Sequence, residues 1–211
     1  EVVLQDKKQP EFMLTSDVYI NRLVNKNKVK QARKHYKDLK PKYQKLSEMY
    51  GVPLNYLISF WAVETHFGYN KGKYHLIDGL TNLSYKNRRS DFFKRELHNV
   101  LQIMDEHNLS GDKMMGSWAG AMGHFQFMPS TYNHYAVDYD DDGVADIWDS
   151  FDDAIASAAN YLSKLGWKAD EPWGQEVRLP WNFDYKLVGA KKYKPVKEWR
   201  KLGILAADGK K

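Results

Sequence analysis

Apolar residues recur along this chain at helical rather than alternating spacing, and the segments they mark predict a mostly helical protein. In residues 54–68, LNYLISFWAVETHFG, Leu54, Leu57, Ile58, Trp61 and Thr65 fall at helical spacing, and Gly68 predicts the C-terminal cap. Upstream, Ser16 and Asp17 open a helical stretch carrying Val18, Ile20, Leu23 and Val24, and a second runs through Val29, Ala32, Tyr36 and Leu39. Pro41 is expected to break that run, leaving Tyr43, Leu46, Met49 and Tyr50 as a short helix ending at Gly51. Residues 69–85, rich in Gly, Asn and Lys, read as an irregular connection. A helix with Phe92, Phe93, Leu97, Val100, Leu101 and Met104 is predicted from Ser90 to His107, and another with Ala154, Ile155, Ala158, Ala159, Leu162 and Leu165 from Phe151, capped by Gly166. Beyond Trp167, prolines and aromatics predict a short strand and one short helix, and residues 1–16 read as a leader onto the fold.

Composition narrows the picture without naming a function. With 211 residues, 43% hydrophobic and 14% aromatic, the chain can bury a sizeable core. The net charge of +5 favours an anionic partner, but its basic stretches read as solvated helix faces, so nucleic acid is not expected. The absence of cysteine excludes disulfides and thiolate chemistry. No apolar run reaches the length of a membrane span, and the first residues carry no signal-peptide core.

Three stretches carry candidate chemistry. Glu64 is a lone carboxylate beside an apolar face, with Phe60 and Trp61 one turn before it and Phe67 three residues after it. At the negative end of a helix dipole, among aromatics, its ionisation is disfavoured, as suits a general acid; a solvent-facing glutamate is the competing reading. In residues 116–132, GSWAGAMGHFQFMPSTY, Gly116, Gly120 and Gly123 let backbone approach a ligand or another element closely, and Gln126 lies among Phe125, Phe127 and Met128. Residues 138–149, DYDDDGVADIWD, place acidic side chains at positions 1, 3, 5, 9 and 12 of an EF-hand-like loop, with Gly143 at position 6. Asp138, Asp140, Asp142, the Val144 carbonyl and Asp149 are the expected ligands of a calcium ion. Because Asp149 is shorter than the usual glutamate, Asp152 or Asp153 is an alternative for closing the site. Arg88 and Arg89 stand before a helix and Tyr161 on a later one, where bland solvated and core roles compete with ligand contact.

Taken in order, AVETHFG, GSWAGAMGHFQFMPSTY, DYDDDGVADIWD and DAIASAANYLSKLGW resemble the membrane-bound lytic transglycosylase B family of bacterial cell-wall enzymes, over about residues 15–175. The resemblance implies a mainly α (α+β) fold: a lysozyme-like helical core with a small irregular β lobe and a structural calcium loop, and no organic cofactor. It divides the chain into an N-terminal helical lobe at 1–50, a catalytic core at 51–170 and a C-terminal extension at 171–211. It implies cleavage of the β-1,4 bond between N-acetylmuramic acid and N-acetylglucosamine without water, leaving a 1,6-anhydromuramoyl end. Glu64 then matches the single acid/base. Ser117 matches a serine beside the muramoyl N-acetyl group, Gln126 and Tyr161 match cleft residues, and Arg88 and Arg89 match a basic pair that meets peptide carboxylates.

The implied partners are peptidoglycan strands and other cell-wall enzymes, in the periplasm or cell envelope, with membrane contact only through a lipid anchor outside this sequence. The family's C-terminal Tyr-Asn segment, expected to pack on the cleft, is not found before Lys211, which puts the completeness of the cleft in question. Two further readings compete: a goose-type-like muramidase that uses water, and a non-catalytic peptidoglycan-binding scaffold. A calcium sensor is disfavoured by the single loop.

Overall fold

Helical periodicity becomes helix along most of the chain. The computed structural model describes residues 2, 14–85, 89–107, 109–189 and 191–209, so the expected leader lies almost wholly outside the described residues. In order come α1 (Ser16–Leu23), α2 (Lys26–Tyr50), α3 (Leu54–Thr65), β1 (Tyr74–His75), α4 (Leu76–Ser84), α5 (Ser90–Glu106), β2 (Met115–Gly116), α6 (Pro129–Tyr135) and α7 (Phe151–Lys164). After them stand β3 (Val177–Arg178), α8 (Val196–Lys201) and β4 (Leu205–Ala206). The chain divides into two compact units, Glu1–Lys168 and Ala169–Lys211. Among the described residues no helix is long and apolar enough to cross a membrane.

The core of the first unit joins Leu57 and Ile58 of α3, Leu80 and Leu83 of α4, and Phe93, Val100 and Ile103 of α5 to the first two turns of α7. Asp153 to Ala159 of α7 are all buried, and four of those seven residues are alanine, so neighbouring elements can close on every side of the helix. The α2 helix packs on α3 and α7 within this unit. The small β lobe begins with β1 antiparallel to β2, Tyr74 opposite Gly116, and continues through bridges from Gly116 to Met122 and from Met122 to Phe127. In the second unit β3 pairs antiparallel with β4, Val177 opposite Ala206, and Ile204 is buried.

Four local expectations are corrected. Pro41 does not break a helix but lies inside α2. The apolar positions Ala32, Tyr36, Leu39, Tyr43, Leu46 and Tyr50 keep one phase across it and all pack on the core. Pro41 and Lys37 are exposed, so water can satisfy the carbonyl left without a helical donor. The 69–85 connection contains β1 and α4, because Leu76, Leu80 and Leu83, fully buried at i, i+4 and i+7, outweigh the turn signal of Asp78 and Gly79. Finally, α3 ends at Thr65 rather than running to Gly68, and Leu101, expected on the apolar face of α5, is 49% exposed.

Candidate active site

The end of α3 is unusual backbone. His66, Phe67 and Gly68 take φ of 51°, 60° and 82°, three successive residues in the left-handed region, where only the glycine is unstrained. Such strain persists where surrounding contacts over-determine it. Here the Thr65 hydroxyl donates to the His124 carbonyl at 2.8 Å and accepts from the Gly68 amide at 2.9 Å. A Cβ on Gly68 would stand 2.7 Å from the His124 ring, so glycine is required for space as well as for φ.

Glu64 occupies the last turn before this hook. Water reaches its side chain, yet the protein around the helix end replaces much of the solvent that would stabilise the anion. Burial accordingly raises the Glu64 carboxyl above the ordinary carboxylate range. The two observations agree for a group on an open surface backed by dense protein. Phe60, one turn earlier, meets Phe125 edge-on at 5.2 Å and Tyr161 at 6.5 Å between ring centroids. The Glu64 turn, the glycine-rich stretch and α7 therefore converge.

Gln126 also has positive φ, 51°, and its amide donates to the carbonyls of Lys71 and Gly123 at 3.2 and 3.1 Å, which orients the side chain. Ser117 closes the turn that precedes it: its Oγ accepts from the Ala121 amide at 2.9 Å, and its own amide donates to the Ala121 carbonyl at 2.7 Å. Gly116 and Gly123 serve backbone-to-backbone approach. A Cβ on Gly116 would lie 2.3 Å from the Ala121 oxygen, and one on Gly123 2.4 Å from that of Ile147. Tyr161 is partly buried and packs edge-on against Tyr135 at 5.2 Å. Arg89 lies with its guanidinium 4.9 Å from the centre of the Phe93 ring, and Arg88 lies outside the described residues.

The acidic loop is bent by its own carboxylates. Asp138 accepts from the amides of Asp142 and Gly143, Asp142 from that of Val144, and Asp146 from those of Trp148 and Asp149. A Cβ on Gly143 would meet nothing within 4 Å, but the φ of 98° there needs glycine. Asp138, Asp140 and Asp142 each offer an oxygen within 4.8 Å of the others, a hard donor set that suits a hard cation such as calcium. Asp149 is exposed and faces Lys71 at 3.6 Å. Asp153 is fully buried, accepts from the Tyr139 and Asp146 amides at 2.8 and 2.9 Å, and so ties the two halves of the loop to α7. Burial raises its carboxyl despite those donors. Between this loop and the β lobe lies a cavity of about 450 Å³, lined by Lys71, Met115, Asp142, Asp146 and Trp148.

Two residues were not singled out from the sequence. His124 accepts the Trp61 indole N–H on Nδ1 at 3.0 Å, and its amide donates to the Ile147 carbonyl at 3.0 Å. Burial, then the nearby Lys71 ammonium, push its imidazole down to about 4, so it is neutral near pH 7 and its Nδ1 can act as the acceptor. Glu96 is buried on α5 and accepts from the Ser130 amide and hydroxyl at 2.9 and 2.8 Å, holding the start of α6. The apolar frame around Glu96 was the only signal for the latter; nothing local marked His124.

Comparison with known proteins places this arrangement. The chain is 40% identical over 145 residues to the membrane-bound lytic murein transglycosylase B of Escherichia coli K12, covering 66% of this chain and 40% of that protein. Its fold matches SltB3 of Pseudomonas aeruginosa, solved in complex with NAG-anhNAM-pentapeptide, with a TM-score of 0.88 and 38% identity over 99% of this chain and 56% of that one. It also matches the E. coli lytic transglycosylase Slt35, solved in complex with calcium, with a TM-score of 0.82 and 28% identity over 97% of this chain and 64% of that one. The chain thus spans less than two thirds of the length of these relatives. The Transglycosylase SLT domain matches residues 1–211, further than the four motifs reach, and the chain belongs to that family.

Proposed function

We propose that this chain carries the catalytic region of a peptidoglycan lytic transglycosylase with Glu64 as its single acid/base. The observation that carries the reading is the Glu64 carboxyl itself, raised by burial and held on a strained helix end beside the glycine-rich lobe. A carboxyl that holds its proton above the ordinary carboxylate range can donate to the glycosidic oxygen as the bond from the muramoyl C1 breaks. The substrate's own N-acetyl oxygen stabilises the oxocarbenium-like centre. Glu64, now a carboxylate, takes the proton of the C6 hydroxyl as O6 bonds to C1, which closes the 1,6-anhydro ring and returns the acid form. No water enters and no second carboxylate is needed, unlike two-carboxylate hydrolysis.

Ser117, Gln126 and Tyr161 serve as glycan-binding residues, and Arg88 and Arg89 as contacts for stem-peptide carboxylates. The acidic loop holds a structural calcium through Asp138, Asp140, Asp142 and the Val144 carbonyl. Asp149 completes the set on leaving Lys71, and Asp153 supports the loop from behind. The site of action is the bacterial cell envelope, where peptidoglycan strands and other cell-wall enzymes are the partners and a lipid anchor supplies any membrane contact. Digesting purified peptidoglycan with the wild type and with Glu64→Gln, then weighing the products, tests the reading. Anhydro products from the wild type alone are expected. Hydrated reducing ends would assign a muramidase, and equal release by both proteins would remove Glu64 from the role.

A further inference from the structure

We propose that His124 is the positioning residue of the acid/base: its imidazole Nδ1 anchors Trp61 and thereby fixes the helical turn from which Glu64 reaches the substrate. The inference rests on the Glu64 reading above. Trp61 precedes Glu64 by three residues and is its neighbour on the helix surface, and Thr65 follows it directly along the backbone. Each is held by His124, Trp61 through the ring at 3.0 Å and Thr65 through the carbonyl at 2.8 Å. The same residue donates its amide to Ile147 of the acidic loop. One residue thus holds the last turn of α3 from two sides and ties it to a second element.

The chemistry of the pair requires a particular side chain. An indole N–H is only a donor, and a partly buried one needs an acceptor. The acceptor must also be flat, because the His124 ring fills the space beside Gly68 and lies 5.4 Å from the Phe151 ring. Without the Trp61 anchor, the strained His66 and Phe67 backbone loses part of what over-determines it, and relaxation there turns the Glu64 carboxyl away. Displacement of about 1 Å in a catalytic group is enough to lower turnover strongly. A role in packing alone would need the ring and not its nitrogen.

The experiment compares His124→Phe, which keeps a flat ring and loses the acceptor, with His124→Asn, whose Oδ1 restores an acceptor near Nδ1. Trp61→Phe removes the same hydrogen bond from the other side. Peptidoglycan turnover is measured with the indole N–H resonances of 15N-labelled protein. For His124→Phe the Trp61 indole resonance is expected to move upfield and kcat to fall about tenfold with KM within about twofold. His124→Asn is expected to recover both to near wild type, and Trp61→Phe to lower kcat as His124→Phe does, with no further loss in the double variant. A His124→Phe protein that keeps wild-type kcat after its indole resonance has moved overturns the proposal. So does an Asn variant as slow as the Phe variant, since an acceptor restored at that place would then not be what turnover needs. If His124→Phe does not fold, full kcat in Trp61→Phe overturns it equally. Product release by Glu64→Gln sinks the acid/base reading instead, whatever the His124 variants do, so the two failures are distinct.

Discussion

Glu64 stands apart from other acidic side chains at the end of α3, with Phe60 and Trp61 one turn before it, whereas the aspartates of loop 138–149 stand together and mostly in water. The single carboxyl is raised by burial alone. In the loop the carboxylates accept backbone amides from their own segment, and three of them converge within reach of one cation. A carboxyl in the first setting holds its proton more tightly than an ordinary one, as suits a proton donor. Carboxylates gathered as in the second offer the hard oxygen donors that suit a cation. The same functional group is suited to one task or the other by what surrounds it, dense protein behind a lone carboxyl or further carboxylates and backbone amides within a loop. Glu96 shows a third outcome, a buried carboxylate engaged by the Ser130 amide and hydroxyl and used to hold two helices together.

The sharpest way to break this contrast is at Glu64. Glu64→Gln is expected to lower kcat on peptidoglycan about 10³-fold with its melting temperature little changed. In the wild type the pH profile should keep its acid form to higher pH than an ordinary glutamate, with activity falling as pH rises through the elevated Glu64 value. A profile that falls at the usual carboxylate range would contradict the burial argument.

A smaller effect should appear where the two regions are stitched. Gly123→Ala places a Cβ 2.4 Å from the Ile147 oxygen at a φ of 67°, and thermal unfolding is expected to show about 2–4 kcal/mol of lost stability. Unchanged melting would mean that the lobe and the loop are not packed as described. Chelating calcium is expected to cost about 2.7 kcal/mol relative to a calcium concentration 100-fold above Kd, and Asp140→Asn to weaken calcium binding in calorimetry. No calcium heat in the wild type would sink the ligand assignment. The smallest change, about 1–3 kcal/mol, belongs to Glu96→Ala, which leaves the Ser130 amide and hydroxyl without their acceptor; its chemical-denaturation midpoint should fall while calcium affinity stays put.

Much of the fold was legible in the chain. The helices from Ser90 and Phe151 were readable because most of their apolar positions keep one phase, although Arg89 and Leu165 rather than Ser90 and Gly166 stand at the cap positions. Pro41 and the 69–85 segment misled for one reason. A local breaker was weighed against a burial pattern whose strength depends on what packs against it, and the leucines at 76, 80 and 83 had partners that spacing alone cannot supply. The acidic loop and the isolation of Glu64 could likewise be read from residue spacing, since both depend on neighbours within about a dozen positions.

By itself, then, the sequence determined the helical class, the loop that suits a cation and the place of Glu64 beside an apolar helix face, because each is written in short-range periodicity. Only the tertiary structure decided that α3 stops at Thr65 in strained backbone, that Gly116 and Gly123 admit neighbouring main chain, and that His124 bonds to Trp61. Those contacts join residues 59 and 63 positions apart, and no local pattern records which distant donor a buried acceptor will meet.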